Sequence, residues 1–189
     1  MPTLSHPPNT GGSGTWYGSQ WVGIDGYTYG GAILQAGTTS AVTYNDDGSS
    51  YQSANAWFEW FPNPESEISN FAVSPGDTMY VIVTAFNSMS GQVYMKNQNT
   101  GQETVQQFGA PSSDHALQGV NAEWIYEDFS AGGLVPFASF SPVTFSGANA
   151  GTQNGGVNLN GATLVDMISN DNTVCHAQII DATDLQVSY

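Results

Sequence analysis

The sequence predicts an all-β fold, and three observations support this prediction. Aromatic residues are frequent, with 5 Trp, 9 Tyr and 9 Phe, and aromatic and β-branched side chains favour strands. The chain has 22 glycines, which mark tight turns together with Asn, Asp, Ser and Pro clusters. No segment keeps a helical hydrophobic period. Many short strands joined by regular turns are typical of a β-sandwich or a β-barrel.

The length predicts one domain. A chain of 189 residues and 20.0 kDa is long enough for one core and short for two. The hydrophobic content of 40% is that of a folded chain rather than a disordered one. Residues 1–15 are rich in Pro, Gly, Ser, Thr and Asn and are predicted to form an extended arm. Residues 16–189 are predicted to form a single β-sandwich domain.

Strand-like runs and turn signals alternate along this domain. Two turn signals are strong, Asn45-Asp46-Asp47-Gly48 and Ser74-Pro75-Gly76-Asp77. The predicted strands cover residues 16–24, 29–35, 41–44, 51–61, 68–73, 78–86, 92–97, 103–108, 119–129, 143–145, 157–160, 164–168 and 174–187.

The charge balance excludes whole classes of partner. There are 16 acidic residues against one basic residue, Lys96, and the formal net charge is −15. Nucleic acid is excluded because phosphate binding needs Lys and Arg. An anionic membrane surface is excluded for the same reason.

The same balance indicates tolerance of acid. Acid denaturation protonates carboxylates that are paired with cations in the native state, and here almost no cations are available for pairing. Protonation therefore breaks few ion pairs and relieves self-repulsion. A halophilic or merely soluble acidic protein is the alternative, but a charged content of 9% is low for a halophile.

Cysteine and histidine give no sign of a metal centre or a disulfide. Cys175 is the single cysteine, so no intrachain disulfide can form, and we interpret it as a small buried apolar residue. The three histidines lack metal-ligand spacing. No apolar run approaches a membrane span and no signal peptide is recognisable. If the protein is secreted, we expect this chain to be a mature form.

The run from Trp57 to Phe61 is the first candidate for a site. In a strand, Trp57, Glu59 and Phe61 share one face, while Phe58 and Trp60 share the other. The wholly aromatic face suits the core. A carboxylate between two aromatic residues is typical of a cleft lining or of an exposed face, and the pattern leaves both open.

The second candidate is residues 121–129. Trp124 and Tyr126 fall on one strand face, and Glu123, Ile125 and Glu127 on the other. Paired carboxylates on one strand face can carry out acid–base chemistry, although they are more often plain solvent-facing residues.

Gln35 is the third candidate, near the end of a predicted strand and just before Gly37. A neutral amide can donate a hydrogen bond from its nitrogen and accept one at its oxygen. The pattern alone does not make Gln35 catalytic.

Five sequence blocks occur in a recognisable order and spacing. They are WVGIDG at residues 21–26, ILQAG at 33–37, AWFEWFP at 56–62, NAEWIYEDF at 121–129 and VPFASFSP at 135–142. Together they resemble the glutamic peptidase (eqolisin) family, from about residue 16 to the C-terminus.

The resemblance implies a fold and an activity. The family fold is a concanavalin- or lectin-like β-sandwich of two antiparallel sheets, with the concave sheet forming a substrate cleft. The family hydrolyses peptide bonds in acid without a metal or cofactor. Its catalytic pair corresponds to Gln35 and Glu127, not Glu123. Glu127 is expected to activate a water as general base, and Gln35 to hold that water and stabilise the oxyanion.

The resemblance also implies partners and surroundings. We expect protein or peptide substrates, a monomer, and secretion into an acidic extracellular environment. The residues expected to bind substrate or to support the site are Trp21, Asp25, Trp57, Glu59, Phe61 and Phe129.

Several departures from the family pattern are visible. Residues 1–20 lack the Asn-Trp element of the family's N-terminal strand. Asn55 and Phe61 stand where fungal relatives have an acidic residue and Tyr, and the loop at residues 130–134 has no cysteine. These differences predict an altered specificity at the rim of the cleft.

Two other functions remain open from the residues alone. A carbohydrate-binding β-sandwich would bind sugar without turnover. A glycosidase using Glu59 with Glu127 would act on glycans and would retain its activity after Gln35→Ala.

Overall fold

The computed structural model describes residues 1–7, 10–152 and 154–189. Helical structure in these residues is confined to a 3-10 turn at Ser113–His115. The strands are β1 (Leu4–Ser5), β2 (Gly14–Ile24), β3 (Ile33–Tyr44), β4 (Ser50–Phe61), β5 (Ser66–Glu67), β6 (Met79–Asn87), β7 (Ser90–Asn97), β8 (Glu103–Gly109), β9 (Ala122–Glu127), β10 (Ser139–Phe140), β11 (Val143–Phe145), β12 (Ala150–Thr152), β13 (Gly155–Val157), β14 (Met167–Ser169), β15 (Asn172–Ile179) and β16 (Leu185–Ser188). The all-β prediction is confirmed.

A five-stranded antiparallel sheet in the order β5-β4-β3-β2-β9 forms one layer of the fold. Its long strands β2, β3 and β4 have 11, 12 and 12 residues. Gln35 lies opposite Gly23 on one side and Glu59 on the other, while Glu127 lies opposite Ser19. This register places Glu59, Glu123 and Glu127 on the face that also carries Gln35, because side chains alternate along a strand.

Two further sheets form the second layer. One has the order β6-β7-β8 and the other β11-β16-β15-β14. Ala36 of β3 packs in a core cluster with Val93 and Met95 of the three-stranded sheet. Val42, further along β3, packs in a second cluster with Val187 of the four-stranded sheet. The fold is therefore the expected sandwich, with a second layer made of two sheets rather than one.

The aromatic residues divide between the two faces of the first layer as predicted. Trp60 is 2% exposed within a core cluster, and Phe58 packs against a neighbouring cluster. Tyr126 and Trp124 also contact the core. Cys175 is buried in the same cluster as Tyr126. The opposite face is thereby left for Glu59, Gln35 and Glu127.

The N-terminal segment is attached to the domain through β1, which pairs with β10. The Leu4 side chain is part of the hydrophobic core, and its backbone N–H donates to Gln52 Oε1 at 3.0 Å. β2 begins at Gly14, so the last two residues of the predicted arm belong to the five-stranded sheet.

The two predicted turns are confirmed. Gly48 N–H donates to the Asn45 carbonyl at 3.0 Å, with Gly48 at a φ of 83° that favours glycine. Asp77 N–H donates to the Ser74 carbonyl at 3.0 Å. Each bond closes a turn between two strands.

Several strand predictions are wrong. Of the predicted strands at 157–160 and 164–168, only Val157 and Met167 with Ile168 lie in strands, in β13 and β14. Residues 29–35 and 41–44 were predicted as separate strands, but the single strand β3 runs unbroken from Ile33 to Tyr44. Residues 68–73 form no strand; Ile68 and Phe71 fill the core from a loop. Residues 174–187 are not one strand, because β15 and β16 form a hairpin there. Its turn is held by Asp184, whose carbonyl accepts from Ile180 N–H at 2.8 Å.

No helix in the part of the chain that the structure describes has the length and apolar character needed to cross a membrane.

Candidate active site

Gln35 is held in one orientation on β3, the middle strand of the five-stranded sheet. Its side chain is 7% exposed. The amide Nε2 donates to Glu59 Oε2 at 2.7 Å, across the β3–β4 pair. The other end of the amide, Oε1, is buried and finds no hydrogen-bond partner among the described residues. Since a buried acceptor without a partner is costly, this oxygen is suited to receive a hydrogen bond from water or a ligand.

Trp21 connects the Gln35 position to Glu127. The indole Nε1 donates to Glu127 Oε2 at 2.7 Å. The far edge of the ring lies over Gly23, where an added Cβ would be 3.0 Å from Trp21 Cζ3 and 3.3 Å from Gln35 Cβ. The indole therefore extends along β2 from beside Gln35 to the Glu127 carboxylate. It fixes the position of that carboxylate on the same face.

Gly37 allows β2 and β3 to approach closely under the site. A Cβ at this residue would lie 2.2 Å from the Gln20 carbonyl oxygen and 2.6 Å from Trp21 Cβ. Any side chain would force the two strands apart. The glycine is thus required by the neighbouring strand, and it leaves the floor beside Trp21 without a side chain.

Three carboxyl groups share this neighbourhood. Partial burial raises the pKa of Glu59 to about 7; the charges of Glu65 and Glu127 add to the rise, and the hydrogen bond from Gln35 opposes it. Partial burial of the carboxyl group also raises the pKa of Glu65, helped by Glu67 and Glu127, although the residue as a whole lies at the surface. Glu59 therefore keeps a proton in acid where an exposed glutamate would lose it.

Trp57 forms part of the wall beside Glu59. It is 3% exposed, and its indole Nε1 donates to Thr39 Oγ1 at 3.0 Å. Thr39 Oγ1 is also 3.1 Å from Ser19 Oγ. These contacts link β4, β3 and β2 and fix the ring of Trp57 on the sheet.

Both carboxylate oxygens of Asp25 accept hydrogen bonds from the backbone of the chain. It is fully buried at the end of β2, with a φ of 65°. Its carboxylate accepts backbone N–H bonds from Gln118, Gly119 and Val120 at 2.7, 3.0 and 2.8 Å. Asp25 thereby anchors the segment that leads into β9, the strand that carries Glu127.

Phe61 and Phe129 lie at opposite ends of the face. Phe61 pairs with Ile33 at one end of β4 and is 41% exposed. Phe129 contacts Tyr17 edge-to-face, with ring centroids 5.9 Å apart, and Tyr17 pairs with Ala41 at the other end of β3. The structure brings Gln35, Glu59 and Trp21 together in the centre and leaves these two rings at the margins.

Glu65 and Thr39 were not predicted from the sequence. Glu65 lies in the loop between β4 and β5, and its charge acts on Glu59. A usable signal was present, because Glu65 and Glu67 follow the Trp57–Phe61 run after a short Pro-Asn-Pro segment. Thr39 gave no signal, since its role depends on a strand pairing that sequence spacing does not specify. No group of three or more His, Cys, Asp or Glu residues in the described part of the chain is arranged to hold a metal ion.

Comparison of the whole chain with known sequences places this site in a family. The model of the Peptidase A4 family matches residues 1–189. Aspergillopepsin-2 of Aspergillus niger is 38% identical over 172 residues, which cover 90% of this chain and 58% of that protein. Scytalidopepsin B of Scytalidium lignicola is 36% identical over 195 residues, which cover 99% of this chain and 71% of that protein. The chain thus spans little more than half the length of the first relative.

Solved structures agree with the sequence comparison. The crystal structure of aspergilloglutamic peptidase from Aspergillus niger superposes with a TM-score of 0.81 at 34% identity, covering 92% of this chain and 99% of that one. Scytalido-glutamic peptidase with a transition state analog inhibitor gives a TM-score of 0.83 at 33% identity, covering 100% and 88%. SCP-B, a member of the eqolisin family in complex with the tripeptide Ala-Ile-His, gives 0.78 at 33% identity, covering 100% and 87%. The chain therefore belongs to the Peptidase A4 family, the eqolisins.

Proposed function

We propose that this chain is an acid-active endopeptidase that hydrolyses peptide bonds with Gln35 and Glu127 as its catalytic pair. The observation that carries the proposal is the buried Gln35 Oε1, which lacks a partner among the described residues and lies beside the indole that holds Glu127. Membership of the Peptidase A4 family supports it. So do the solved relatives that contain a transition state analog inhibitor and a tripeptide.

Peptide hydrolysis needs an activated water, a stabilised oxyanion and a protonated leaving amine. Ionised Glu127 takes a proton from the water as general base while the water oxygen attacks the peptide carbonyl carbon. Gln35 Oε1 accepts the water's other hydrogen. Of the two hydrogens on Gln35 Nε2, one is donated to Glu59, and the second is available for the developing oxyanion.

Collapse of the tetrahedral intermediate completes the reaction. Protonated Glu127 returns its proton to the leaving nitrogen, the carbon–nitrogen bond breaks, and an amine and a carboxylic acid are released. Glu127 is then ionised again, ready for the next water. These reaction steps use protein side chains and water alone.

Acid suits this chemistry because it keeps Glu59, the neighbour of Gln35, uncharged. Burial and the neighbouring charges of Glu65 and Glu127 raise the pKa of Glu59 to about 7, so Glu59 is neutral in acid. A neutral neighbour does not oppose negative charge on the oxyanion. We propose protein and peptide substrates, secretion into an acidic environment, and action as a monomer; the net charge of −15 with a single basic residue supports the acidic environment.

The test is digestion of a denatured protein across the pH range by the wild type and by Gln35→Ala. We expect cleavage in acid and its decline towards neutral pH, as Glu59, whose pKa is raised to about 7, loses its proton. Gln35→Ala should lose at least about 100-fold in kcat, the scale for one oxyanion donor. Glycan hydrolysis that survives Gln35→Ala would instead indicate a glycosidase. Sugar binding without any turnover would indicate a carbohydrate-binding protein.

A further inference from the structure

We infer that Glu59 is a positioning residue for Gln35: it fixes which end of the Gln35 amide faces the substrate, and so keeps Oε1 free for the attacking water. The catalytic consequence rests on the proposed function. The underlying coupling between the two side chains is a property of the fold and can be tested separately.

The side-chain amide of Gln35 is nearly symmetric in shape. Its oxygen and its NH2 group have almost the same shape, so packing alone does not distinguish the two orientations; hydrogen-bond partners do. Gln35 Nε2 donates to Glu59 Oε2 at 2.7 Å, and the two residues are direct cross-strand neighbours. In the flipped orientation, Gln35 Oε1 would face a carboxyl oxygen. Glu59 therefore selects the observed orientation.

The proton on Glu59 does not undo this selection. Glu59 is faced by Gln35 from β3, by Glu65 from the β4–β5 loop and by Glu127 from β9. Because Glu59 Oε2 accepts the hydrogen bond from Gln35 Nε2, a neutral Glu59 carries its acidic hydrogen on the other oxygen, Oε1. Neutral Glu59 thus continues to hold the amide while adding no charge to the site.

Ionisation of Glu59 has the opposite effect on turnover. An ionised Glu59 remains a good acceptor for Gln35, but it places a second negative charge near Glu127 and near the oxyanion. Because the oxyanion is stabilised electrostatically, this charge raises the barrier. We therefore expect kcat to fall on the alkaline side as Glu59 loses its proton. This decline should be absent when residue 59 cannot ionise.

The kinetic test compares Glu59→Ala, Glu59→Gln and a control, Glu67→Gln. Glu67 is an exposed carboxylate on β5, opposite Trp57, and its replacement removes a nearby charge without touching Gln35. Glu59→Ala should lower kcat about 10- to 100-fold with little change in KM, since a misoriented Gln35 weakens the transition state rather than substrate binding. Glu59→Gln keeps an acceptor oxygen and should recover part of this loss. Its kcat should not decline near pH 7, where that of the wild type does.

A second measurement does not depend on activity. The side-chain NH2 resonances of Gln35, identified by their disappearance in Gln35→Ala, should titrate in the wild type with a midpoint of about 7. They should not titrate in Glu59→Gln. If the wild-type resonances do not move between pH 5 and 8, Glu59 is not coupled to Gln35 and the inference is overturned.

The outcomes separate this inference from the proposed function. A wild type that cleaves protein while Glu59→Ala keeps its full kcat overturns the inference and leaves the peptidase proposal intact. A wild type without proteolysis overturns the proposed function, and the resonance titration then still decides whether Glu59 holds Gln35. Equal loss of kcat in Glu67→Gln and Glu59→Ala would contradict a specific role for Glu59.

Discussion

Replacing Glu59 by Gln should make the folded protein more stable at neutral pH and leave its stability in acid nearly unchanged. The pKa of Glu59 rises in the folded state from an ordinary 4.5 to about 7, chiefly through burial. At 1.36 kcal/mol per pKa unit, the full rise corresponds to ~3 kcal/mol. We halve this value to ~1.5 kcal/mol because the carboxyl group keeps partial contact with solvent, which screens the interactions.

The direction of this pH-dependent change in stability follows from proton linkage. Between pH 4.5 and about 7 the folded state retains the Glu59 proton, whereas the unfolded chain releases it. This contribution to wild-type stability is therefore fully present below pH 4.5 and is lost as the pH rises through 7. A Gln at this position does not ionise in either state, so Glu59→Gln avoids the loss.

The assay is urea unfolding of the wild type, Glu59→Gln and Glu67→Gln at about pH 4, 5.5 and 7. The free-energy advantage of Glu59→Gln over the wild type should grow by ~1.5 kcal/mol from pH 4 to pH 7. Glu67→Gln, which removes an exposed carboxylate, should show no comparable growth. Parallel curves for the wild type and Glu59→Gln across this range would refute the assignment of a raised pKa to Glu59.

Two further substitutions test the framework around the site. Gly37→Ala should destabilise the fold by more than ~2 kcal/mol in thermal melting, because its Cβ would lie 2.2 Å from the Gln20 carbonyl oxygen; an unchanged melting temperature would contradict the close approach of β2 and β3. Asp25→Asn should cost ~1–3 kcal/mol in urea unfolding, since an amide offers one acceptor oxygen to three backbone N–H donors that now share the buried carboxylate. Wild-type stability in Asp25→Asn would show that these bonds do not hold the segment before β9.

The sequence predicted which side chains face the core and which face the site, because side chains alternate along a strand. The pattern from Trp57 to Phe61 placed Glu59 on one face and Trp60 on the other, and the structure buries Trp60 in the core and joins Glu59 to Gln35. Such alternation is a local property and can be read from a single strand. The roles of Gln35 and Glu127 came from a resemblance and not from the pattern.

Other features depend on contacts between strands and could not be read locally. Gly37 was interpreted as marking the end of a strand, but it lies within β3. Glycine is needed there because the neighbouring strand β2 leaves no space for a Cβ. The pairing of Gln35 with Glu59 depends on the register of β3 and β4. The influence of Glu65 depends on the path of a loop. Spacing along the chain specifies none of these distances.

The proposal that Glu127 is the catalytic base can be tested against Glu123, which lies on the same face of the same strand and serves as a control. Glu123 pairs with Gly23 and Glu127 with Ser19, so the two carboxylates lie on one face of β9 with Ile125 between them. The decisive measurement is the initial rate of cleavage of a denatured protein at about pH 4 by the wild type, Glu127→Gln and Glu123→Gln, each verified as folded by circular dichroism. We predict that Glu127→Gln abolishes cleavage and that Glu123→Gln remains close to the wild type. Full activity in Glu127→Gln, or an equal loss in both variants, would contradict the claim.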